Sequence, residues 1–348
     1  MMSAPIRLMR RNRGKRGVVL VLVVWTLALM SALVVEFDSS MRVEVEGTGN
    51  YKDELQAYYL ARAAIELAVA EAVNVGGPAY GADSGEIIYT KGDYAREEEE
   101  EIDEETDTMT YRREIEFAGG EISYAMFDEE GRYNLNSVRP TKTWVLAKLL
   151  TESAGMEMGA ERDTVMDSIM DWTDVDELRM INGAEEDYYQ SLPKPYHCKD
   201  GDFYVPEEAL YVKGMTKEIF YGGAPAAPGS DDETAAGLFP YITTFSSRRG
   251  GGEYEFHVAT ARPELREIMG LRPDIRATAN PTLIRIVGRG SVRDGKVVRT
   301  IEAVVRVSRV YRAGSYEFRP GGQKMWEVVY WDDHSARELP ESEESEAL

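Results

Sequence analysis

Cysteine occurs once in the 348 residues, as Cys198, so an internal disulfide framework is excluded. Histidine is nearly as scarce. His197, His257 and His334 leave little material for a zinc enzyme or a His-centred triad. Positive charge is also in deficit, with 40 Lys plus Arg against 62 Asp plus Glu and a formal net charge of -22. Phosphate recognition runs on Lys and Arg that displace counterions, so this balance argues against nucleic-acid binding. Apolar material is not lacking. A hydrophobic share of 43% supports real cores and excludes wholesale disorder, and the length fits two domains or one domain carrying a large insertion.

The charge is unevenly spread. Residues 1–17 hold Arg7, Arg10, Arg11, Arg13, Lys15 and Arg16 and no acid, and an apolar run from Val18 to Val35 follows. As a helix that run is about 27 Å long, close to the thickness of a hydrocarbon core. The basic flank stays cytoplasmic by the positive-inside rule, which places the chain after Glu36 outside a bacterial inner membrane. A cleaved secretory signal and a plain signal anchor use similar stretches. Two details favour a third reading. Gly17 stands at the junction of basic and apolar residues, where a type IV prepilin leader is cut, before Val18. The helical pattern also continues past the membrane edge. From Arg42 to Asn74 there is no Pro, and Leu55, Tyr58, Tyr59, Arg62, Ile65, Glu66 and Val69 recur at helical spacing with alanines between them. Gly47 and Gly49 are weak points where a kink is expected, and Gly76-Gly77-Pro78 ends the helix. A helix half in the membrane and half outside it is the signature of a pilin-like subunit.

The remainder reads as strands, then helices, then strands. Ile87–Tyr89, Tyr111–Phe117 and Ile122–Phe127 are short strands, the last two joined at Ala118-Gly119-Gly120. The run REEEEEIDEETD at 96–107 is a solvated loop, because like charges at that density repel; an acidic metal cluster is the rival reading. Lys142–Ala154 and Ala160–Trp172 are amphipathic helices, and Pro206–Val212 starts a helix with Pro at its first turn. A weak repeat relates Pro206 through Gly214-Met215 to Ile219 with Pro263 through Gly270-Leu271 to Ile275. Such helix-hairpin-helix units grip DNA phosphates elsewhere, but the acidic chain favours a structural role. Leu283–Val292 and Lys296–Val310 flank the turn Asp294-Gly295, and Ile301, Ala303, Val305 and Val307 alternate with Glu302, Val304, Arg306 and Ser308 as in a half-buried strand. Lys324–Trp331 adds a strand with Trp326, Val328 and Tyr330 on one face. The resulting division is a leader at 1–17, a long helix at 18–75 with 18–35 crossing the membrane, and a first sheet portion at 76–135. An inserted helical domain at 136–280, returning strands at 281–331 and an acidic, disordered tail at 332–348 complete it. The fold class is α+β, a long helix on an antiparallel sheet interrupted by helices.

With that organisation in place, several stretches resemble the minor pseudopilin K family of type II secretion systems (general secretion pathway protein K). They are Arg16-Gly17-Val18 through Trp25, the small-residue segment from Ala57 to Ala64, and the run Phe127-Asp128-Glu129-Glu130-Gly131-Arg132-Tyr133-Asn134-Leu135-Asn136. DSIMDWTDVD at 167–176, the segment from Gly183 to Tyr189, and FHVATARP at 256–263 complete the set, the last with His257 and Ala259 where the family usually has Asn. The resemblance implies a pilin-like fold with a helix-hairpin-helix or SAM-like insertion and a non-enzymatic role. It implies a place at the tip of a periplasmic filament, with I-type and J-type minor pseudopilins and the major pseudopilin as partners. Prepilin peptidase and the inner-membrane assembly platform are implied as well, and the filament is proposed to push folded proteins through an outer-membrane secretin. After cleavage at Gly17 the fifth mature residue is Leu22, where most pilins carry Glu to offset a neighbour's N-terminal ammonium. A subunit with no neighbour above it has no such charge to neutralise, so Leu22 suits a tip position.

Asp171, Asp174, Asp176, Glu177, Glu185, Glu186 and Asp187 crowd one stretch with hard oxygen ligands that suit calcium, which some members of the family bind in this domain. Leu178 and Arg179 stand at the fifth and sixth places of any EF-hand loop begun at Asp174, so no EF-hand is claimed. Helix caps and loop carboxylates are the competing reading. A carboxylate hydrolase needs an apolar cleft holding two carboxylates with separated pKa values. A membrane-anchored periplasmic adaptor of unrelated origin is the alternative to the pseudopilin.

Overall fold

A computed structural model describes residues 14–75, 79–81, 86–90, 108–109, 114–139, 142–223, 234–246, 254–272, 281–307, 326–333 and 335. The basic leader up to residue 13, the acidic run 96–107 and most of the tail lie outside the described residues. By internal contacts the chain divides into a unit ending at Gln56 and a unit from Ala57 onward.

The described residues of the first unit are helical. Helix α1 spans Gly14–Val75 and continues without a break through Gly47 and Gly49. Its stretch from Val18 to Val35 is exposed throughout, with Trp25 at 71%. Among the described residues α1 is the one helix long and apolar enough to cross a membrane, with a mean hydropathy of 2.9 in its most apolar window and none of that window buried.

In the second unit the C-terminal part of α1 lies on a sheet. The buried face is Ala57, Leu60, Ala61, Ala64, Ile65, Ala68, Val69 and Ala72, recurring every three or four residues. Of the residues read at helical spacing, Ile65 and Val69 fall on this face. Tyr59, Arg62 and Glu66 face solvent, and the alanines between them carry the contact. The physical reason is closeness of approach. A Cβ added to Gly290 would collide with the carbonyl of Ala57 and the amide of Ala61, and one added to Gly288 would lie 2.7 Å from the Ala61 carbonyl. Alanine on the helix and glycine on the strand bring the two backbones together, while Leu60 and Ile65 pack against the same glycines.

Strands β1 (Ala79–Gly81), β2 (Ile87–Thr90) and β3 (Thr108–Met109) form a small antiparallel sheet. The main sheet takes β4 (Ile115–Phe117), β5 (Gly120–Asp128), β8 (Leu283–Val292), β9 (Val297–Val307) and β10 (Trp326–Asp332), in the order β10-β9-β8-β5-β4, with every pair antiparallel. The neighbours β5 and β8 are far apart in sequence, and Asp128 pairs with Ile284. The whole helical region therefore leaves the sheet at the end of one strand and returns at the start of the next.

Two strand readings change. Glu302 and Val304 are buried, so β9 is covered on both faces rather than half-exposed. In β10 the register shifts between Val328 and Tyr330. The bulge reverses the alternation, so that Trp326 and Trp331 both pack on the α1 side while Tyr330 meets Phe245 at 5.5 Å.

The insertion has a core of its own. Short elements β6 (Tyr133–Asn134) and β7 (Ile242–Thr243) pair in parallel. Helices α2 (Trp144–Lys148), α3 (Ala160–Thr173), α4 (Glu186–Gln190), α5 (Lys217–Tyr221) and α6 (Pro263–Ile268) surround Leu146, Leu149, Ile169, Phe220, Leu238 and Leu265. The helix expected over 142–154 is α only to Lys148, because the Ala154 amide bonds the Leu149 carbonyl at 3.1 Å, a π-type turn. Pro206–Tyr211 is a 3-10 helix, followed by the turn at Gly214 and then α5, which gives one helix-hairpin-helix unit. In the second copy α6 and Gly270 are present, and the second helix expected from sequence, at Ile275, falls outside the described residues.

Candidate functional site

Two buried groups of carboxylates stand out, and they differ in what neutralises them. The first lies where the insertion leaves the sheet. Glu129 is fully buried and takes a two-pronged ion pair from Arg285 of β8, Nη2 to Oε1 at 2.5 Å and Nε to Oε2 at 2.7 Å. Thr243 of β7 donates to Glu129 Oε1 at 2.6 Å, and Arg285 also bonds Glu302 of β9. Burial by itself raises the carboxyl pKa of Glu129, but the guanidinium groups of Arg285 and Arg132 overcome this and hold it at about 2.

Asp128 and Asn136 of the same DEEGRYNLN run are bonded as well. Asp128 accepts from the Glu130 amide at 2.9 Å, from Thr260 Oγ1 at 2.6 Å and from His257 Nδ1 at 2.6 Å. His257 is half-buried, which alone lowers its pKa, yet Asp128, Glu130 and Glu255 raise it above the ordinary value. Asn136 binds both the amide and the carbonyl of Phe203, at 2.8 and 3.1 Å. This motif is the joint between the sheet and the insertion.

The second group lies at the C-terminal end of α3. Oxygens of Asp171, Asp174 and Glu185 come within 4.8 Å of one another. Asp171 is on the last turn of α3 and fully buried, and its carboxylate accepts from the Met180 amide at 3.1 Å. A side chain at Gly183 would strike that carboxylate, so the returning loop passes against it as bare backbone. Asp174 follows as the helix C-cap, and Glu185 is the N-cap residue of α4, without a capping bond.

The electrostatics of this trio are strained. Burial, reinforced by Asp174, raises Asp171 to about 6, and burial with Asp171 and Asp174 raises Glu185 to about 7. Asp174 is raised by burial and by Asp176. Asp174 Oδ1 and Glu185 Oε1 are buried with no hydrogen-bond partner. Buried oxygens with raised pKa values and no donor are what a cation site looks like without its cation. The residues present thus fit calcium, whose hard charge would take the place of the absent donors.

Of the other residues expected to ligate, Asp176 accepts from the Leu178 amide at 2.8 Å, Glu177 is exposed, and Asp187 accepts from the Tyr188 amide at 2.8 Å. Asp176 still raises the pKa values of Asp174 and Glu185 through its charge. Glu186 points elsewhere, to the Cys198 amide at 2.8 Å and to His197 at 2.6 Å. Sequence reading missed Asp200 and Cys198, which join the cluster at Glu185. They arrive through a backbone bond from the Gly201 amide to the Trp172 carbonyl at 3.3 Å, a tertiary contact with no local signal. Gly17 lies within α1, and Val18 and Leu22 are exposed on it. A cavity of about 450 Å³, lined by Arg132, Arg139, Lys142, Trp144, Tyr254 and Glu255 among others, contains none of the trio.

A long helix laid on an antiparallel sheet, with a helical domain inserted between adjacent strands, defines a pilin-like protein of the α+β class. The similarities to known proteins specify which kind. Residues 131–227 match the family model described as Type II secretion system (T2SS), protein K. A type II secretion system protein K of Escherichia coli (strain K12) is 25% identical over 222 residues, covering 60% of this chain and 61% of that relative. One from Pectobacterium carotovorum subsp. carotovorum is 30% identical over 114 residues, covering 29% of this chain and 34% of that protein. The chain thus spans about three-fifths of the length of the first of these relatives. Among solved structures, the GspK-GspI-GspJ complex of the enterotoxigenic Escherichia coli Type 2 Secretion System contains a chain of the same fold. Its TM-score is 0.51 at 12% identity, covering 84% of this chain and 100% of that one. The resemblance to the protein K family holds in sequence and in fold.

Proposed function

We propose that this chain is a minor pseudopilin of a type II secretion system. It is anchored by one helix in a bacterial inner membrane, carries its head in the periplasm, and forms part of the pseudopilus tip that primes filament assembly. The observation that carries this reading is the inserted domain: the protein K match begins within the DEEGRYNLN joint, on a pilin-like sheet. Prepilin peptidase cuts between Gly17 and Val18, and the exposed apolar face of α1 sits among neighbouring helices. Leu22 supports the tip position, since a subunit with nothing above it has no ammonium to neutralise. The I-type and J-type minor pseudopilins are the proposed partners, with the major pseudopilin and the assembly platform. This rests on the solved GspK-GspI-GspJ complex, whose GspK is assembled with two such subunits.

N-terminal sequencing of the membrane-extracted protein tests the proposal. A mature chain that begins at Val18 with a methylated amine is expected, together with co-purification of the other minor pseudopilins. An intact leader and a chain that purifies alone would indicate an unrelated membrane-anchored adaptor.

Calcium is part of the same reading. Asp171, Asp174 and Glu185 would hold it, with Asp176 adding to the local negative charge. The ion would supply fixed positive charge that links the end of α3 to the start of α4.

A further inference from the structure

We infer that Cys198, Glu185 and Asp200 form a second cation site beside the oxygen trio, one that takes a thiophilic divalent ion such as zinc. The sulfur of Cys198 and carboxylate oxygens of Glu185 and Asp200 lie within 4.8 Å of one another. Three observations point to a ligand there. Glu185 is buried, and its Oε1 has no hydrogen-bond partner. The thiol is buried too, its Sγ 4.0 Å from the Asp171 carbonyl oxygen, and the residue's amide is bonded to Glu186 at 2.8 Å. Asp200 is exposed, so an ion can reach the thiol from solvent along its carboxylate.

The donor set decides the metal. One sulfur and two carboxylate oxygens provide three protein ligands, the number zinc takes when it keeps a fourth position for water. A hard ion gains little from sulfur, so calcium stays with the all-oxygen trio, whereas zinc and cadmium prefer a site containing thiolate. Burial, with Asp200 and Glu185 adding to it, disfavours a free thiolate at Cys198, so the thiol keeps its proton until a dication replaces it. Binding is then an exchange. The S–H bond breaks, its electron pair forms the sulfur–metal bond, one proton leaves to solvent, and nothing is oxidised or reduced. Glu185 belongs to both groups, which joins the two sites, but the thiol site does not depend on calcium in the trio.

The chain has a single cysteine, so any sulfur–metal signal at one ion per chain has one possible origin. The test titrates cadmium into the detergent-solubilised full chain, reduced and washed with chelator, and follows sulfur-to-cadmium charge transfer in the ultraviolet. A band saturating at one ion per chain and displaced by zinc is expected, with about one proton released per ion. In Cys198→Ser the band disappears and zinc affinity falls about tenfold or more, since losing a direct ligand costs at least as much as losing an outer-shell partner. In Asp200→Asn, whose change lies on the exposed side, the band survives at weaker cadmium affinity. No band in the parent protein, or unchanged zinc binding in Cys198→Ser, overturns the inference. Calcium titration of Cys198→Ser, whose oxygen trio is intact, reports on the trio without the thiol, so a failure of the calcium reading leaves the parent's cadmium band in place.

Discussion

The protein buries two groups of acids and treats them in opposite ways. At the joint, Glu129 and Glu302 share the guanidinium of Arg285, whose own pKa is raised above its ordinary value by those partners although burial opposes it. At the end of α3, Asp171, Asp174 and Glu185 have raised pKa values, and Asp174 Oδ1 and Glu185 Oε1 have no hydrogen-bond partner. A group that carries its own cation is finished when the chain folds. A group that does not is finished only by something from solution. Burial alone therefore does not separate structural acids from ligand-binding ones, but the location of the counter-charge does.

The hardest test of the contrast removes the built-in cation. Arg285→Met removes the guanidinium that Glu129 and Glu302 share in the buried joint and is expected to cost about 3–5 kcal/mol of stability, read by chemical denaturation. Adding the missing cation is the converse experiment. Calcium at a hundred times its Kd should stabilise the protein by about 2.7 kcal/mol at pH 7.5. That gain should vanish in the Asp171→Asn, Glu185→Gln double variant.

The two groups should also respond to pH with opposite signs. Asp171 and Glu185 titrate at about 6 and 7 in the fold, above their ordinary 3.8 and 4.5, so the native chain holds more protons than the unfolded one between those limits. Without calcium, their contribution to stability falls as pH rises from about 4 to 7. Glu129, held at about 2, contributes fully above pH 4.5 and loses that contribution only as pH falls toward 2. In thermal melts across pH 4–8 the double variant should flatten the first slope, removing several kcal/mol of pH dependence, and leave the acid limb intact. The smallest effect is expected from an exposed pair on the same sheet. Arg306→Ala breaks the bond to Glu327 and should cost less than about 1 kcal/mol, because water already screens both charges.

Much of this was legible in the residues, for reasons that differ by region. The long apolar run, the returning strands and the helix-hairpin-helix spacing are local patterns, and local patterns survive in one dimension. The joint was visible as a motif without a mechanism. Arg285 in a strand otherwise rich in Leu, Ile, Val and Gly was the clue that Glu129 and Glu302 needed a partner. The alternation in β9 misled because it assumes one wet face, and the bulge in β10 because one extra residue reverses parity. The alanine face of α1 was hidden by the larger residues beside it, since periodicity weighs size while close packing rewards its absence. Asp200 and Cys198 were out of reach, because only a fold-level contact brings 198–201 to the end of α3.

The placement of the insertion between adjacent strands has a mechanical consequence. Chain leaves β5 at Asp128 and enters β8 at Leu283, and these strand ends lie side by side on the same edge. Tension applied to the insertion therefore draws β5 and β8 in one direction, and neither slides past the other. The load passes sideways to β4 and β9 as shear, across hydrogen bonds that run perpendicular to the pull. Bonds loaded in that way share the force and break together, so the sheet resists a tug on the helical domain more strongly than it would resist peeling of an edge strand.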